Sequence, residues 1–139
     1  MKNKTKDRKP YDLEKFHLDS RQWKSSFHLM KDELAFLEEL LHSYVFEPDT
    51  PNLFERLQDY LARLKTVKNY GKELEEQITQ HENKLGGALE CKNGHCDEDV
   101  HVEHQQLKAN VVNCLQQFQM LKSEVFNYAG GILRKRRPD

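Results

Sequence analysis

The sequence predicts an all-α protein, folded as an up-down-up antiparallel three-helix bundle with long, coiled-coil-like helices. Apolar residues recur in three segments at alternating steps of three and four positions, which is the spacing of one helix face and not the period of two of a strand. The chain is 32% charged and 37% hydrophobic with only four prolines, a composition typical of helices with a narrow apolar stripe. The three seams are Leu13, Phe16, Ser20, Trp23, Phe27, Met30, Leu34, Leu37, Leu41 and Tyr44; Leu53, Leu57, Tyr60, Leu64, Val67, Gly71, Leu74, Ile78, His81 and Leu85; and His104, Leu107, Val111, Cys114, Phe118, Leu121, Val125, Tyr128 and Ile132.

Helix one is predicted over about residues 12–46. Asp12 suits a cap at its start, and Asp19 with Gln22 forms a second capping pair. The pattern therefore leaves open a break near residues 17–20.

Helix two is predicted over about residues 51–86, and helix three over about residues 97–130. Thr50 followed by Pro51 suits the start of helix two. Gly86 and Gly87 suit its end, because glycine readily adopts the left-handed conformation that closes a helix. The acidic run at residues 97–99 suits the positive N-terminal end of helix three.

The 139 residues are predicted to form one domain, residues 11–133, between two basic tails at residues 1–10 and 134–139. The tails hold nine of the 22 lysines and arginines and two of the 23 acidic residues, which leaves 13 cations and 21 anions between them. Clustered cations bind phosphates, but these tails contain no interleaved aromatic residues that could stack on bases. Nucleic-acid binding is therefore not expected.

The stretch ECKNGHCDEDVHVEH, residues 90–104, is rich in side chains that bind metals. A short connection should make helices two and three antiparallel neighbours, so that position i of helix two lies opposite position 185 − i, approximately, of helix three. This pairing places His81 and His104 in one layer. A similar count places His17 of helix one beside them. Imidazole and thiolate are preferred zinc ligands. The candidate zinc ligands are His81, His104, His17, Cys91 and Cys96.

Two other interpretations of this stretch stay open. The turn between Cys91 and Cys96 can bring their Cα atoms to about 5.5 Å, so that the pair forms a reversible disulfide. A seam histidine is also commonly a partly buried residue bonded to a neighbour. A polar connector without a cofactor is therefore the favoured interpretation.

Apolar residues at outward-facing helix positions predict an interaction surface. The candidates are Phe36, Val112, Met120 and Phe126. The layer count places Phe36, Met120 and Phe126 within about two turns of one another, on helices one and three. Since a cluster of exposed apolar residues marks an interface, the hypothesis is homodimerisation through this face.

The function expected from these features is non-catalytic. The sequence has no phosphate-binding loop, nucleophile elbow or dinucleotide fingerprint. Nothing in it resembles a signal peptide, it contains no run of roughly 18 apolar residues, and its three cysteines fit a reducing cytoplasm. We expect a cytoplasmic helical bundle without a cofactor that binds a protein partner and self-associates.

The alternative function is a small module that binds zinc or responds to thiol oxidation. It would use the layer of His81 and His104 together with the loop from Cys91 to Cys96.

Overall fold

The computed structural model describes residues 10–43, 52–90 and 95–135, and within them the side chains of residues 13–43, 52–87 and 99–132. It contains three α-helices: α1 (Pro10–Leu41), α2 (Leu53–Glu90) and α3 (His95–Lys135). Every described residue is helical except His42, Ser43 and Asn52. The predicted all-α fold, a bundle of three helices, is confirmed. No described helix is both long enough and apolar enough to cross a membrane.

The helix ends differ from the predicted ones. α1 ends at Leu41, where the Ser43 hydroxyl donates a hydrogen bond of 2.7 Å to the Leu40 carbonyl. α1 also runs without interruption through residues 17–20, so no break occurs there. α2 begins after Asn52, whose φ of 55° lies in the left-handed region that asparagine tolerates. Thr50 and Pro51, the predicted start of helix two, lie outside the described residues.

The prediction that Gly86 and Gly87 end helix two is wrong. α2 continues to Glu90, and no described glycine has a positive φ. The physical reason lies at Leu85, which packs in a buried cluster with Leu13, Phe16 and Val100. Burying a leucine side chain stabilises by about 1.5–3 kcal/mol, which offsets the roughly 1 kcal/mol that each of the two helical glycines loses.

The chain divides into two compact units, each containing one segment of every helix. The first unit comprises Met1–His28 and Gly71–Val112, and the second comprises Leu29–Tyr70 and Asn113–Asp139. The predicted tails were residues 1–10 and 134–139, but α1 already begins at Pro10 and α3 continues to Lys135, beyond the predicted helix end near residue 130. Residues 1–9 and 136–139 lie outside the described residues.

In the first unit, buried seam residues from the three helices form the core. Leu85 of α2 and Val100 of α3 belong to one buried cluster, and His81, one turn before Leu85, contacts His104, one turn after Val100. α2 and α3 therefore run antiparallel there. The buried core residues are Leu13, Phe16, Ser20, Trp23, Phe27, Leu74, Ile78, His81, Leu85, Val100, His104, Leu107 and Val111.

In the second unit, ion pairs and aromatic contacts flank a core of the same kind. Arg63 of α2 donates two hydrogen bonds, 2.9 and 2.7 Å, to the Glu124 carboxylate of α3. Lys122 of α3 pairs with Glu33 of α1. The buried core residues are Met30, Leu34, Leu37, Leu41, Tyr60, Leu64, Val67, Cys114, Phe118, Leu121, Val125, Ala129 and Ile132.

Candidate functional site

Two histidines meet in the core of the first unit. Nε2 of His81 lies 2.9 Å from Nδ1 of His104, and the two side chains are 0% and 1% exposed. The counted layer of these residues is therefore confirmed. Both occupy seam positions, so the helical spacing that buries leucine elsewhere turns these imidazoles inward.

Each histidine uses its second ring nitrogen to contact a carboxylate. Nδ1 of His81 lies 2.7 Å from Oε1 of Glu103, and Nε2 of His104 lies 3.0 Å from Oδ2 of Asp19. The other Glu103 oxygen accepts a hydrogen bond of 2.7 Å from the Lys84 ammonium group. We call this continuous chain, Lys84–Glu103–His81–His104–Asp19, the histidine relay.

Aromatic rings enclose His104. Its ring stacks on Phe16 at a centroid distance of 3.9 Å and an interplanar angle of 14°. Trp23 lies at 4.8 Å and 24°. His101 contacts the edge of the Phe16 ring at 5.2 Å. These rings keep water from His104, so its polar contacts are made within the protein.

The burial and charge of the histidine relay shift two pKa values. Burial lowers the pKa of His104, and the neighbouring His81 adds to this effect, although the hydrogen bond to Asp19 opposes it. Burial acts to raise the pKa of Glu103, but hydrogen bonds from Lys84 and His81 outweigh it and lower that pKa. Both shifts disfavour protonation of these groups in the fold.

His17, the third predicted imidazole, does not join the pair. Its side chain is 50% exposed, and Nδ1 lies 3.8 Å from the Glu82 carboxylate. Glu82 also forms an ion pair with Lys24. His17 thus belongs to a surface cluster beside the histidine relay.

The described geometry commits all four ring nitrogens of His81 and His104 to side-chain contacts. Among the described residues, no group of three or more histidine, cysteine, aspartate or glutamate side chains is arranged to hold a metal ion. We therefore assign neither histidine as a metal ligand. Cys91 and the side chain of Cys96 lie outside the description, so the zinc and disulfide hypotheses that include them stay predictions.

Cys114 is fully buried in the second unit. Burial raises the pKa of its thiol to about 11. Because the thiolate is the reactive form, Cys114 is chemically inert at neutral pH.

The second unit carries two of the predicted interface residues in contact with each other. The rings of Phe36 on α1 and Phe126 on α3 have centroids 6.2 Å apart and remain 54% and 40% exposed. Leu29, seven residues before Phe36 and so on the same helix face, is also exposed. We call Phe36 and Phe126 the phenylalanine pair.

The other two predicted interface residues lie elsewhere. Met120 is exposed and lines a groove of about 200 Å³ between α2 and α3, with Arg63 and Thr66 on the opposite side. Six residues separate it from Phe126, so the two side chains leave α3 in different directions. Val112 is exposed on the first unit.

Comparisons of the chain with protein-family models, with curated proteins and with solved structures find no match.

Sequence reasoning missed the carboxylates and the lysine of the histidine relay. Glu103 directly precedes the seam residue His104, and Asp19 directly precedes the seam residue Ser20. An acidic residue beside a seam position, in the same layer as a seam histidine, is the signal that could have identified them. Lys84 carries no such signal, because its contact depends on how a long, exposed side chain is oriented.

Proposed function

We propose that this protein acts without catalysis, as a helical bundle that binds protein partners and associates first with a second copy of itself. The observation that supports this function is the phenylalanine pair, two adjacent aromatic side chains about half exposed to solvent. Phenylalanine, like the other large aromatic residues, buries a large apolar area and contributes strongly to interface energetics.

The surroundings of the phenylalanine pair also suit an interface. Lys122 and Glu33, one turn before Phe126 and Phe36, join the same two helices by an ion pair. That pair is less than one-third exposed on each side. An apolar centre beside satisfied charges matches the organisation of an interface, with an apolar core and a polar rim.

A second copy of the chain is the proposed first partner because the patch can pack against itself. In a twofold-symmetric dimer the same surface contributes from both subunits, so one exposed aromatic pair supplies four rings to the contact. The proposal places this assembly in the cytoplasm, in keeping with the odd number of cysteines.

Light scattering on the purified protein tests the proposal. We expect twice the chain mass for the parent protein and the single-chain mass for Phe126→Lys, because a buried unpaired ammonium group would oppose association. Phe54→Lys is the matched control: Phe54 is 73% exposed on α2 of the second unit and lies outside the phenylalanine pair. It should keep the dimer mass, and a parent protein of single-chain mass would refute self-association.

A further inference from the structure

The contacts within the histidine relay determine how many hydrogens its ring nitrogens must carry. Three contacts link its rings and carboxylates: His81 to Glu103, His81 to His104, and His104 to Asp19. Each needs one N–H hydrogen, because a carboxylate accepts and two bare ring nitrogens cannot bond to each other. Three hydrogens are therefore required on the four ring nitrogens.

Two neutral imidazoles carry only two hydrogens between them, and two imidazolium ions carry four. In the first case one of the three contacts lacks a hydrogen: either bare nitrogens of His81 and His104 face each other at 2.9 Å, or a bare nitrogen faces a carboxylate. In the second case two N–H groups face each other at that distance. Only one imidazole plus one imidazolium satisfies all three contacts.

The charges around the pair favour the same state. Asp19 from α1 and Glu103 from α3 contribute two negative charges, and Lys84 from α2 contributes one positive charge. One imidazolium brings this set to neutrality, whereas none leaves one negative charge and two leave one positive charge.

Charged groups from all three helices surround this set. On the α1 and α2 side, Lys24 and Glu82 neutralise each other, with His17 3.8 Å from Glu82. On α3, Lys108 acts on His104 and lowers its pKa, and His101 contacts Phe16. The positive charge of Lys108 thus opposes a second proton on the pair.

We propose that His81 and His104 form a buried binding site for one proton, shared between Nε2 of His81 and Nδ1 of His104, and that folding is coupled to the occupancy of this site. The inference is independent of the proposed self-association. It predicts that the stability of the first unit decreases when the pH is either raised or lowered from an intermediate value.

The sign of the coupling follows from counting protons in the folded and unfolded chains. Above about pH 6.5, where unfolded histidines are mostly neutral, the folded chain holds one proton more, so stability falls as pH rises. Below about pH 6.5 the unfolded chain binds two protons at these residues and the folded chain one, so stability falls as pH decreases. The pair thus contributes most to stability at about pH 6.5, the ordinary pKa of a histidine side chain.

Nitrogen NMR of isotope-labelled protein tests the proton count directly, because the shift of an imidazole nitrogen reports whether it carries hydrogen. The sample is first treated with a chelator and its metal content measured. At about pH 7.5, one unit above the ordinary imidazole value, Nδ1 of His81 and Nε2 of His104 should be fully protonated. The other two nitrogens should share one further hydrogen. Two bare or two protonated central nitrogens would overturn the proposal.

The variant His104→Asn tests the coupling to folding. Its uncharged amide can donate to Nε2 of His81, so the central contact no longer needs an extra proton. Above about pH 7, the folding equilibrium constant of the parent should fall up to tenfold more per pH unit than that of the variant.

His28→Asn is the matched control, because it removes an exposed histidine from the same unit. It should keep the pH slope of the parent. Equal slopes for the parent and His104→Asn would contradict the coupling. Should His104→Asn fail to fold, the spectra of the parent still decide the proton count.

Discussion

Ser20 is the one hydroxyl-bearing residue in the buried seam of α1. Its side chain is fully buried, and its Oγ has no hydrogen-bond partner among the described residues. A buried polar group without a partner is unfavourable by about 1–3 kcal/mol. Ser20 is thus a weak point in the core that also contains the histidine relay.

Replacing Ser20 by alanine should raise the free energy of unfolding by about 1 kcal/mol, because it removes the unsatisfied hydroxyl and introduces a better helix former. Denaturant unfolding followed by circular dichroism measures the change. Ser25→Ala is the control, since Ser25 is exposed on the same helix and gains only helix propensity. Equal effects at both positions would argue against an unsatisfied hydroxyl at Ser20.

At this scale the sequence predicts positions better than contacts. The seam pattern places His81 and His104 in one layer, and their contact at 2.9 Å agrees. The pattern does not reveal that each imidazole ring also contacts a carboxylate. Asp19 and Glu103 lie beside the seam positions, and their side chains reach the histidines from there. The phenylalanine pair follows from heptad positions, whereas the groove around Met120 depends on side-chain direction.

Among the helices, α2 shows how packing overrides a local signal for termination. Gly86 and Gly87 resemble a stop, yet both lie in helical conformation one and two residues after the buried Leu85. Helix ends were for this reason less predictable than helix existence. Their positions depend on long-range contacts that a window of sequence does not contain.

Gly86→Ala should stabilise the protein by about 0.5–1 kcal/mol, because alanine loses less backbone freedom on folding and its Cβ would meet nothing within 4 Å. Gly87→Ala should behave in the same way. Thermal unfolding of each variant measures the effect. Destabilisation would instead indicate a positive φ and a helix that ends at the glycines.

The whole molecule has a net charge of −1, but several of its ionisable groups change their pKa values on folding. Burial lowers the pKa of His104. Hydrogen bonding to Arg63 lowers the pKa of Glu124, and hydrogen bonds from Lys84 and His81 lower that of Glu103 despite burial. Below about pH 6.5 the unfolded chain therefore takes up protons more readily than the folded chain at all three groups, so acid favours unfolding.

Stability should therefore decline in two steps on acidification. The first begins as pH falls through about 6.5, where unfolded histidine gains a proton, and the second as pH falls through the range near and below about 4.3 for the glutamates. Chemical denaturation at a series of pH values measures both. Glu124→Gln should weaken only the second step, because it removes one of the glutamates. A stability that stays constant between about pH 7 and pH 5 would contradict the role of His104 in the first step.

The single tryptophan of the chain stacks 4.8 Å from the ring of His104. A positive charge against an indole face interacts with its π electrons, so the light emitted by Trp23 should change whenever the adjacent imidazole gains or loses charge. The protein thus contains its own optical reporter, which can follow the charge state of this buried pair without any added dye.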